Sequence, residues 1–319
     1  MFRKGLILSA LALLGLVGCS TMGDPWENEK GRKRVVVTIP ALASFVHAVG
    51  GDDIAIRSLC VTTGPHGFKA DSRDAAQLRR ADLLLSIGLS LDDSFADALY
   101  ALARNNKLPH IKIGQRIPKN MLMEMAHDHD HEHEGHHHHH GHYDPHIWLG
   151  IPEATAMVNV VAAELSVIDP EHAASYDKNA KAYTAKLKQL HEDGNKKLEG
   201  KKKPMRLITF HDSFGYFARS FGMRVEETME VSPGDEPSPA HLAKIVKICK
   251  EKTIGALTVE PQYSEGSAKK VIDSLGGKIP LVIVDPLETA DLSELKKDAS
   301  QWYLKKMETN LNKLADALP

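Results

Sequence analysis

The stretch VVVTIPALASFVHAVGGDDIAIRSLC, residues 35–60, contains two short apolar runs separated by a segment with helical spacing. The runs VVVTIP (35–40) and IAIRSLC (54–60) are rich in β-branched residues, which is typical of buried strands. Between them, LASFVHAVG repeats apolar side chains three and four residues apart, as a helix packed on one face does. A strand, a helix and a second strand in so short a stretch predict a βαβ unit with parallel strands.

The same alternation continues along the rest of the chain. Strands that alternate with helices form parallel sheets covered on both faces. The sequence therefore predicts an α/β fold with two similar lobes, each a four-stranded parallel sheet with flanking helices. The further strand-like runs are ADLLLSIG (81–88), HIKIG (110–114), MRLITF (205–210), RVEETM (224–229), IGALTVE (254–260) and LVIVDP (281–286).

The middle of the chain predicts one long backbone helix that joins the lobes. A helical segment ends at Ile168, and Asp169-Pro170 then offers an N-cap with proline at the first helical position. The pattern continues to about Leu198, and about thirty helical residues at 1.5 Å each span roughly 45 Å. A surface helix inside one domain is the alternative. The predicted division is an N-terminal lobe at 34–168, the linking helix at 169–200 and a C-terminal lobe at 201–319.

The N-terminus has the pattern of an exported lipoprotein. Two basic residues precede an apolar run from Leu6 to Val17, which is too short to span a bilayer and predicts a signal peptide. The following Leu-Val-Gly-Cys resembles the bacterial lipobox, which implies cleavage after residue 18 and lipidation of Cys19. An ordinary signal peptide is the alternative. With a lipidated Cys19, residues 19–33 are expected to form a flexible tether to a membrane.

Composition narrows the class of protein further. The 319 residues are 42% hydrophobic and 26% charged, which is typical of a globular protein. A formal net charge of -2 without a basic stripe argues against nucleic acid as a partner, and we expect a monomer. Cys60 and Cys249 each lie in an apolar segment, so buried thiols are favoured over the disulfide that export would permit.

Candidate metal ligands follow four of the predicted strands. Ligands of open α/β sheets bind outside the carboxyl ends of the strands. Each lobe offers two candidates at the edge that faces the other lobe, and three imidazoles with one carboxylate suit a tetrahedral Zn²⁺. The candidates are His66 after the second strand, His146 after the fourth, His211 after the fifth and Asp285 after the eighth.

A second group of histidines lies between the fourth strand and His146. Residues 127–142 read HDHDHEHEGHHHHHGH and hold ten of the chain's eighteen histidines. The segment 125–143 has almost no apolar content, which predicts a mobile loop that binds several Zn²⁺ ions weakly and captures, buffers or senses metal. An inert loop is the alternative, and the internal position argues against a tag. The accessory ligands predicted here are His127, His129, His131, His133, His136, His137, His138, His139, His140 and His142.

Several motifs together resemble one known family, the metal-binding receptors of bacterial ABC importers for zinc and manganese, called cluster A-I or ZnuA-like solute-binding proteins. The motifs are GPHGF (64–68), RRADLLLSIG, DPHIWL, TFHDSFGYF, SPGDEPSPAHL, VEPQYSEGSAKKV, VDPL and YLKKMETNLNKL. The resemblance covers nearly the whole mature chain and implies two α/β lobes on one backbone helix, with metal in the cleft between them. It implies the ligands His66, His146, His211 and Asp285. In zinc-specific members, water or a nearby Glu can take the fourth place.

The resemblance also implies a function. The third ligand tends to be His in zinc receptors and Glu in manganese receptors, so His211 favours Zn²⁺, and imidazole suits that ion better than Mn²⁺. The expected protein is a lipid-anchored, extracytoplasmic zinc receptor that delivers Zn²⁺ to the permease of an ABC importer, and it is not an enzyme. The alternatives are a manganese or iron receptor, a metal-storage or adhesion lipoprotein, and a zinc hydrolase that would use Asp212 or Glu260 as acid or base.

Overall fold

The computed structural model describes residues 24–125, 142–230 and 236–319. The signal peptide and the lipidation site Cys19 lie outside the described residues. So do nine of the ten accessory histidines, namely His127, His129, His131, His133, His136, His137, His138, His139 and His140.

Two parallel sheets form the framework, as the sequence predicts, and each predicted run overlaps one strand. The strand orders are β2-β1-β3-β4 and β6-β5-β7-β8, so both sheets have the same topology. Because every pairing is parallel, the carboxyl ends of the strands in a sheet meet at one edge. The strands are β1 Lys33–Val37, β2 Ile54–Ser58, β3 Leu83–Ser86, β4 His110–Lys112, β5 Met205–Thr209, β6 Met223–Thr228, β7 Ala256–Val259 and β8 Leu281–Ile283.

Helices flank both sheets. Helix α4 has the length and the mean hydropathy, 1.4, of a membrane span by composition alone, and 44% of it is buried inside the fold. The helices are α1 Pro40–Gly50, α2 Ser72–Arg79, α3 Asp93–Ala103, α4 Ile151–Ile168, α5 Ala173–Leu198, α6 Gly215–Ser220, α7 Pro239–Glu251, α8 Gly266–Ser274, α9 Leu292–Lys297 and α10 Ala299–Ala317.

The long helix predicted between the lobes is α5, preceded by a 3₁₀ turn at Pro170–His172. Asp169 differs from its predicted role, because its side chain does not cap the backbone of this helix. Its carboxylate instead accepts hydrogen bonds from Tyr176 Oη at 2.6 Å and His172 Nδ1 at 2.8 Å. The first half of α5 contacts the N-terminal lobe through Asn179, whose side chain donates to the Val49 carbonyl at 2.8 Å.

The second half of α5 packs on the C-terminal lobe. A Cβ at Gly194 would lie 2.6 Å from the ring of Phe221, so only glycine allows this close approach. His191 Nε2 lies 2.7 Å from the Ser220 carbonyl at the end of α6. The helix therefore contacts both lobes along its length.

The hydrophobic core is shared between the lobes and is largest around the N-terminal sheet. Helix α10 carries Tyr303 into this core, where the fully buried phenol donates to the Trp148 carbonyl at 2.6 Å. A smaller cluster packs α7 and α8 on the C-terminal sheet through Ile208, Ile245, Leu257 and Val271. Of the two cysteines in the described chain, Cys60 is buried and Cys249 is half-buried, and both are free thiols.

Part of the predicted tether packs on the N-terminal lobe. Trp26 is only 3% exposed, and its indole donates to the Gln77 carbonyl at 3.0 Å. The Arg57 guanidinium lies 5.0 Å from the centre of the indole ring. Residues 24–32 therefore contact the lobe, whereas their polarity predicts a flexible tether, because the large aromatic side chain of Trp26 is buried there.

Candidate metal centre

Three of the four predicted ligands lie together at the edge where the two lobes meet. His66, His146 and His211 form a group with Glu288, and one nitrogen or oxygen atom from each lies within 4.8 Å of the others. His66 follows β2 and His146 lies in the segment beyond β4, whereas His211 follows β5 and Glu288 follows β8. Each lobe thus contributes two side chains from the carboxyl ends of its strands.

The carboxylate of Glu288 lies close to all three imidazoles. Glu288 Oε1 lies 3.4 Å from His146 Nε2, 3.6 Å from His66 Nε2 and 3.9 Å from His211 Nε2. Donors at 2.0 to 2.2 Å from a tetrahedral Zn²⁺ are about 3.3 to 3.6 Å apart, so these three distances to Glu288 are close to those that the ion needs.

Burial and hydrogen bonding single out the same atoms. Within the part of the chain that the structure describes, His146 Nε2, His211 Nε2 and Glu288 Oε1 are buried without a hydrogen-bond partner. Buried polar atoms are nearly always paired, so atoms of this kind that converge on one point indicate a ligand site. His66 is the exposed member of the group, with 26% of its side chain accessible.

Two carboxylates orient the imidazoles of His146 and His211 by contacting Nδ1, the ring nitrogen on the side away from the site. Asp144 Oδ1 accepts from the backbone N–H of His146 at 2.9 Å and lies 2.8 Å from His146 Nδ1. Glu230 Oε2 lies 3.3 Å from His211 Nδ1. A carboxylate on Nδ1 fixes the ring and leaves Nε2 free to bind a metal. Neither residue was assigned from the sequence, although Asp144 stands in the DPHIW motif, two residues before the ligand it orients.

Electrostatics in the site pair His146 with Glu288. Burial lowers the pKa of His146, but the hydrogen bond to Asp144 and the nearby Glu288 outweigh it and raise this pKa to about 10. Burial raises the pKa of Glu288, but His146 and His66 outweigh it and hold this pKa well below its usual range. At neutral pH a protonated His146 therefore faces an ionised Glu288, and a cation that binds must displace the proton.

Asp285, the predicted fourth ligand, lies outside the group, and Glu288 is the carboxylate that lies with the three histidines. The Asp285 carboxylate accepts from the Leu287 backbone N–H at 2.8 Å and pairs with Lys306 of α10 at 3.2 Å. The bond to Leu287 closes a tight turn, in which Leu287 has a left-handed φ of 60°. This turn directs the chain so that Glu288, rather than Asp285, reaches the histidines.

The turn after β8 is held from several sides. Asn310 of α10 accepts from the Asp285 N–H at 2.8 Å and donates to the Asp285 carbonyl at 2.7 Å. The Trp148 indole donates to the Pro286 carbonyl at 2.8 Å. On the far side of Glu288, the Ala290 N–H donates to the Val61 carbonyl of the opposite lobe at 2.7 Å. Glu288 is therefore positioned before any metal arrives.

One accessory histidine can be located. His142 is exposed, and its Nε2 lies 3.4 Å from Glu124 Oε1. The neighbouring Tyr143 forms an antiparallel bridge with Glu124, which joins the two ends of the His-rich segment. His142 is thus at the base of that segment and is not a member of the four-residue group.

Comparison with known proteins settles the family. The profile of the family described as "Zinc-uptake complex component A periplasmic" matches residues 35–317. The chain belongs to this family. It is therefore a metal-binding substrate-binding protein of the ABC importer type, and the family consists of solute receptors rather than enzymes. The zinc-hydrolase alternative is set aside on this ground.

Individual relatives are named for different metals. The chain is 31% identical over 334 residues to the high-affinity zinc uptake system protein ZnuA of Bacillus subtilis (strain 168), covering 100% of this chain and 99% of that protein. It is 28% identical over 319 residues to the manganese-binding lipoprotein MntA of the same organism, with 99% of each covered. A crystal structure of a Zn(II)-bound AdcAII mutant variant of Streptococcus pneumoniae is also similar, with a TM-score of 0.75, 26% identity and coverage of 91% of this chain and 99% of that one.

Proposed function

We propose that this protein is a zinc receptor outside the cytoplasm, which captures Zn²⁺ between its lobes and delivers it to the permease of an ABC importer. Zn²⁺ is bound by His66, His146, His211 and Glu288. Lipidation at Cys19 anchors the receptor to a membrane. The chain acts as a monomer, and Zn²⁺ is its cargo rather than a resident cofactor.

The donor set is the observation that carries this proposal. Three imidazole nitrogens and one carboxylate oxygen converge within 4.8 Å, and three of the four side chains are buried. Imidazole suits Zn²⁺, whereas Mn²⁺ favours carboxylate, carbonyl and water oxygens. Zn²⁺ also accepts four ligands in a tetrahedron, which a compact group of four single-atom donors provides.

The His-rich segment is assigned an accessory role in this proposal. Its histidines and carboxylates can hold several Zn²⁺ ions more weakly than the cleft and raise the local concentration of the ion near it. The cleft group is complete without it. A variant that lacks residues 127–141 keeps the bridge between Glu124 and Tyr143 and should retain one tight Zn²⁺ site while losing several weak ones in calorimetric titration.

The decisive experiment compares two carboxylates of one turn. In Glu288→Gln the charged oxygen donor is lost. The dissociation constant for Zn²⁺ should then rise about 100-fold, because one of the four ligands supplies about a quarter of the free energy of binding. In the matched control Asp285→Asn, the amide oxygen can still accept from the Leu287 N–H, so affinity should stay close to that of the parent. Competition with a chelator of known affinity measures both constants. Loss of the tight site in Asp285→Asn alone would overturn the assignment of Glu288.

A manganese receptor is the second candidate, because one full-length relative is named for manganese binding. Titration of the parent chain with Mn²⁺ in competition with Zn²⁺ separates the two functions. Zinc should displace manganese completely at equal concentrations, since three nitrogen donors favour the later metal of the first-row series. Tighter binding of Mn²⁺ would establish the alternative.

A further inference from the structure

Helix α6 of the C-terminal lobe forms hydrogen bonds with the segment that carries His146 in the N-terminal lobe. Tyr216 is fully buried, and its hydroxyl accepts from the Met123 N–H and donates to the Asp144 carbonyl, each at 2.9 Å. The Asp144 N–H donates to the Met123 carbonyl at 2.9 Å. The phenol of Tyr216, from the opposite lobe, therefore joins Met123 and Asp144, which flank the His-rich segment on either side.

Arg219, one turn later in α6, makes further contacts with the N-terminal lobe. Its guanidinium donates to the Met121 carbonyl at 2.5 Å and to Glu153 Oε1 of α4 at 2.8 Å. It also lies 4.9 Å from the centre of the Tyr216 ring, where a cation is attracted by the aromatic face. Glu153 is 2% exposed, so this pair ties the start of α4 to α6.

Close packing leaves Asp144 little freedom. A Cβ at Gly215 would lie 3.1 Å from Asp144 Oδ2 and 3.3 Å from Met123 Cε, so the backbone of α6 lies directly against the orienting carboxylate. The peptide of Asp144 is held by Met123 on one side and by Tyr216 on the other, while its Oδ1 holds the imidazole of His146. The position of His146 therefore depends on contacts made by the opposite lobe.

We infer that Tyr216 and Arg219 are positioning residues of the metal centre, which hold Asp144 and, through it, the imidazole of His146 in the geometry that the metal needs. Neither side chain touches the metal. Their contacts make the site depend on the docking of the two lobes at α6, so a disturbance of that docking weakens metal binding while all four ligands remain present. The inference rests on the proposed metal-binding function.

The test removes one buried hydroxyl near the site and one far from it. Tyr216→Phe keeps the ring and deletes both hydrogen bonds to the segment. Tyr176→Phe is the matched control, because Tyr176 is also fully buried and its hydroxyl makes a single short bond to Asp169 between α4 and α5. Both variants should have a somewhat lower melting temperature than the parent, which a purely structural role explains equally well.

Two readouts separate positioning from general stability, namely the dissociation constant for Zn²⁺ by chelator competition and the visible absorption of bound Co²⁺, which reports ligand geometry. In Tyr216→Phe the constant should rise about 5- to 20-fold, somewhat less than for loss of a carboxylate in direct contact with a ligand, and the Co²⁺ bands should change. Tyr176→Phe should match the parent in both. Arg219→Gln, at a half-exposed side chain, should show the same changes more weakly and serves if Tyr216→Phe does not fold.

The outcomes are distinct. If the parent binds Zn²⁺ and Co²⁺ but Tyr216→Phe and Arg219→Gln behave as Tyr176→Phe does, the positioning role is overturned and the proposed function stands. If the parent binds neither metal, the proposed function falls, and the positioning role falls with it. A selective loss of affinity with an altered Co²⁺ spectrum supports both.

Discussion

The two segments that bring histidines from the N-terminal lobe are held very differently. His146 has 4% of its side chain exposed and is fixed by Asp144 through both its backbone and its ring. His66 has 26% exposed and lies in an irregular loop between β2 and α2, where its Nε2 is 3.6 Å from Glu288. Three donors are therefore held in place by the fold and the fourth faces solvent, so an arriving cation meets His66 at the open side of the site.

The largest effect should separate these two histidines. Alanine at His146 removes a fixed ligand and leaves Glu288 and Asp144 buried without their partner, so the dissociation constant for Zn²⁺ should rise roughly 1,000-fold. Alanine at His66 should raise this dissociation constant only about 100-fold, because water can enter at the exposed position and take the fourth place on the metal. Chelator competition measures both, with alanine at the remote His172 as the control. Equal losses would show that the two segments are held alike.

The pH dependence of affinity should come mainly from the fixed side. Because the pKa of His146 is raised to about 10, this ring is protonated in the metal-free protein throughout the neutral range and must release its proton when Zn²⁺ binds. Affinity should fall about tenfold for each pH unit lost between pH 8 and 6, since one proton competes with the metal. Titrations at several pH values measure the slope. The His146→Ala variant should show a flatter dependence, and a flat dependence in the parent would contradict the assignment of the proton.

A smaller effect should follow from loosening the fixed histidine without removing it. Asp144→Asn keeps an oxygen that can accept from His146 Nδ1 but removes its charge, so the ring becomes a weaker donor. We expect the dissociation constant for Zn²⁺ to rise about 10- to 30-fold, within the range found for outer carboxylates of metal sites. The control is Asp177→Asn, which changes an exposed carboxylate of α5 and should leave affinity nearly unchanged. Similar losses in both variants would point to net charge rather than orientation.

The sequence predicts the framework well because its signals are local. Each of the eight strands lies in or at the edge of a short run of apolar or β-branched residues, and parallel topology then brings the strand ends of each sheet to one edge. His66, His146 and His211 could be found in this way, since each follows a strand and imidazole is a common ligand. The family resemblance pointed to the same three residues and, for the fourth position, to Asp285.

The fourth position could not be predicted from the strand end alone. Asp285 stands nearer the end of β8 than Glu288 does, but its carboxylate forms an ion pair with Lys306 and accepts a hydrogen bond from the Leu287 N–H. The pairing with Lys306 joins residues far apart in the sequence, and the left-handed φ of Leu287 is unusual for that residue type. Both features depend on the packed structure. The role of Asp144 was missed for a simpler reason, because only the histidine of its motif was considered as a functional group.

The smallest expected effect tests how precisely the loop of His66 must be positioned against Glu288. A Cβ at Gly64, two residues before His66, would lie 3.2 Å from Glu288 Oε2, whereas a Cβ at Gly67 would lie 3.2 Å from the Thr63 methyl group. Gly64→Ala should therefore move Glu288 or the loop by a few tenths of an ångström and raise the dissociation constant for Zn²⁺ about threefold, since ligand geometry tolerates shifts of only about 0.5 Å. Gly67→Ala, equally tight but against a methyl group that can rotate away, should bind like the parent. If Gly64→Ala also binds like the parent, the loop of His66 adapts to the site more freely than its contact with Glu288 indicates, and the contrast with the fixed His146 becomes sharper still.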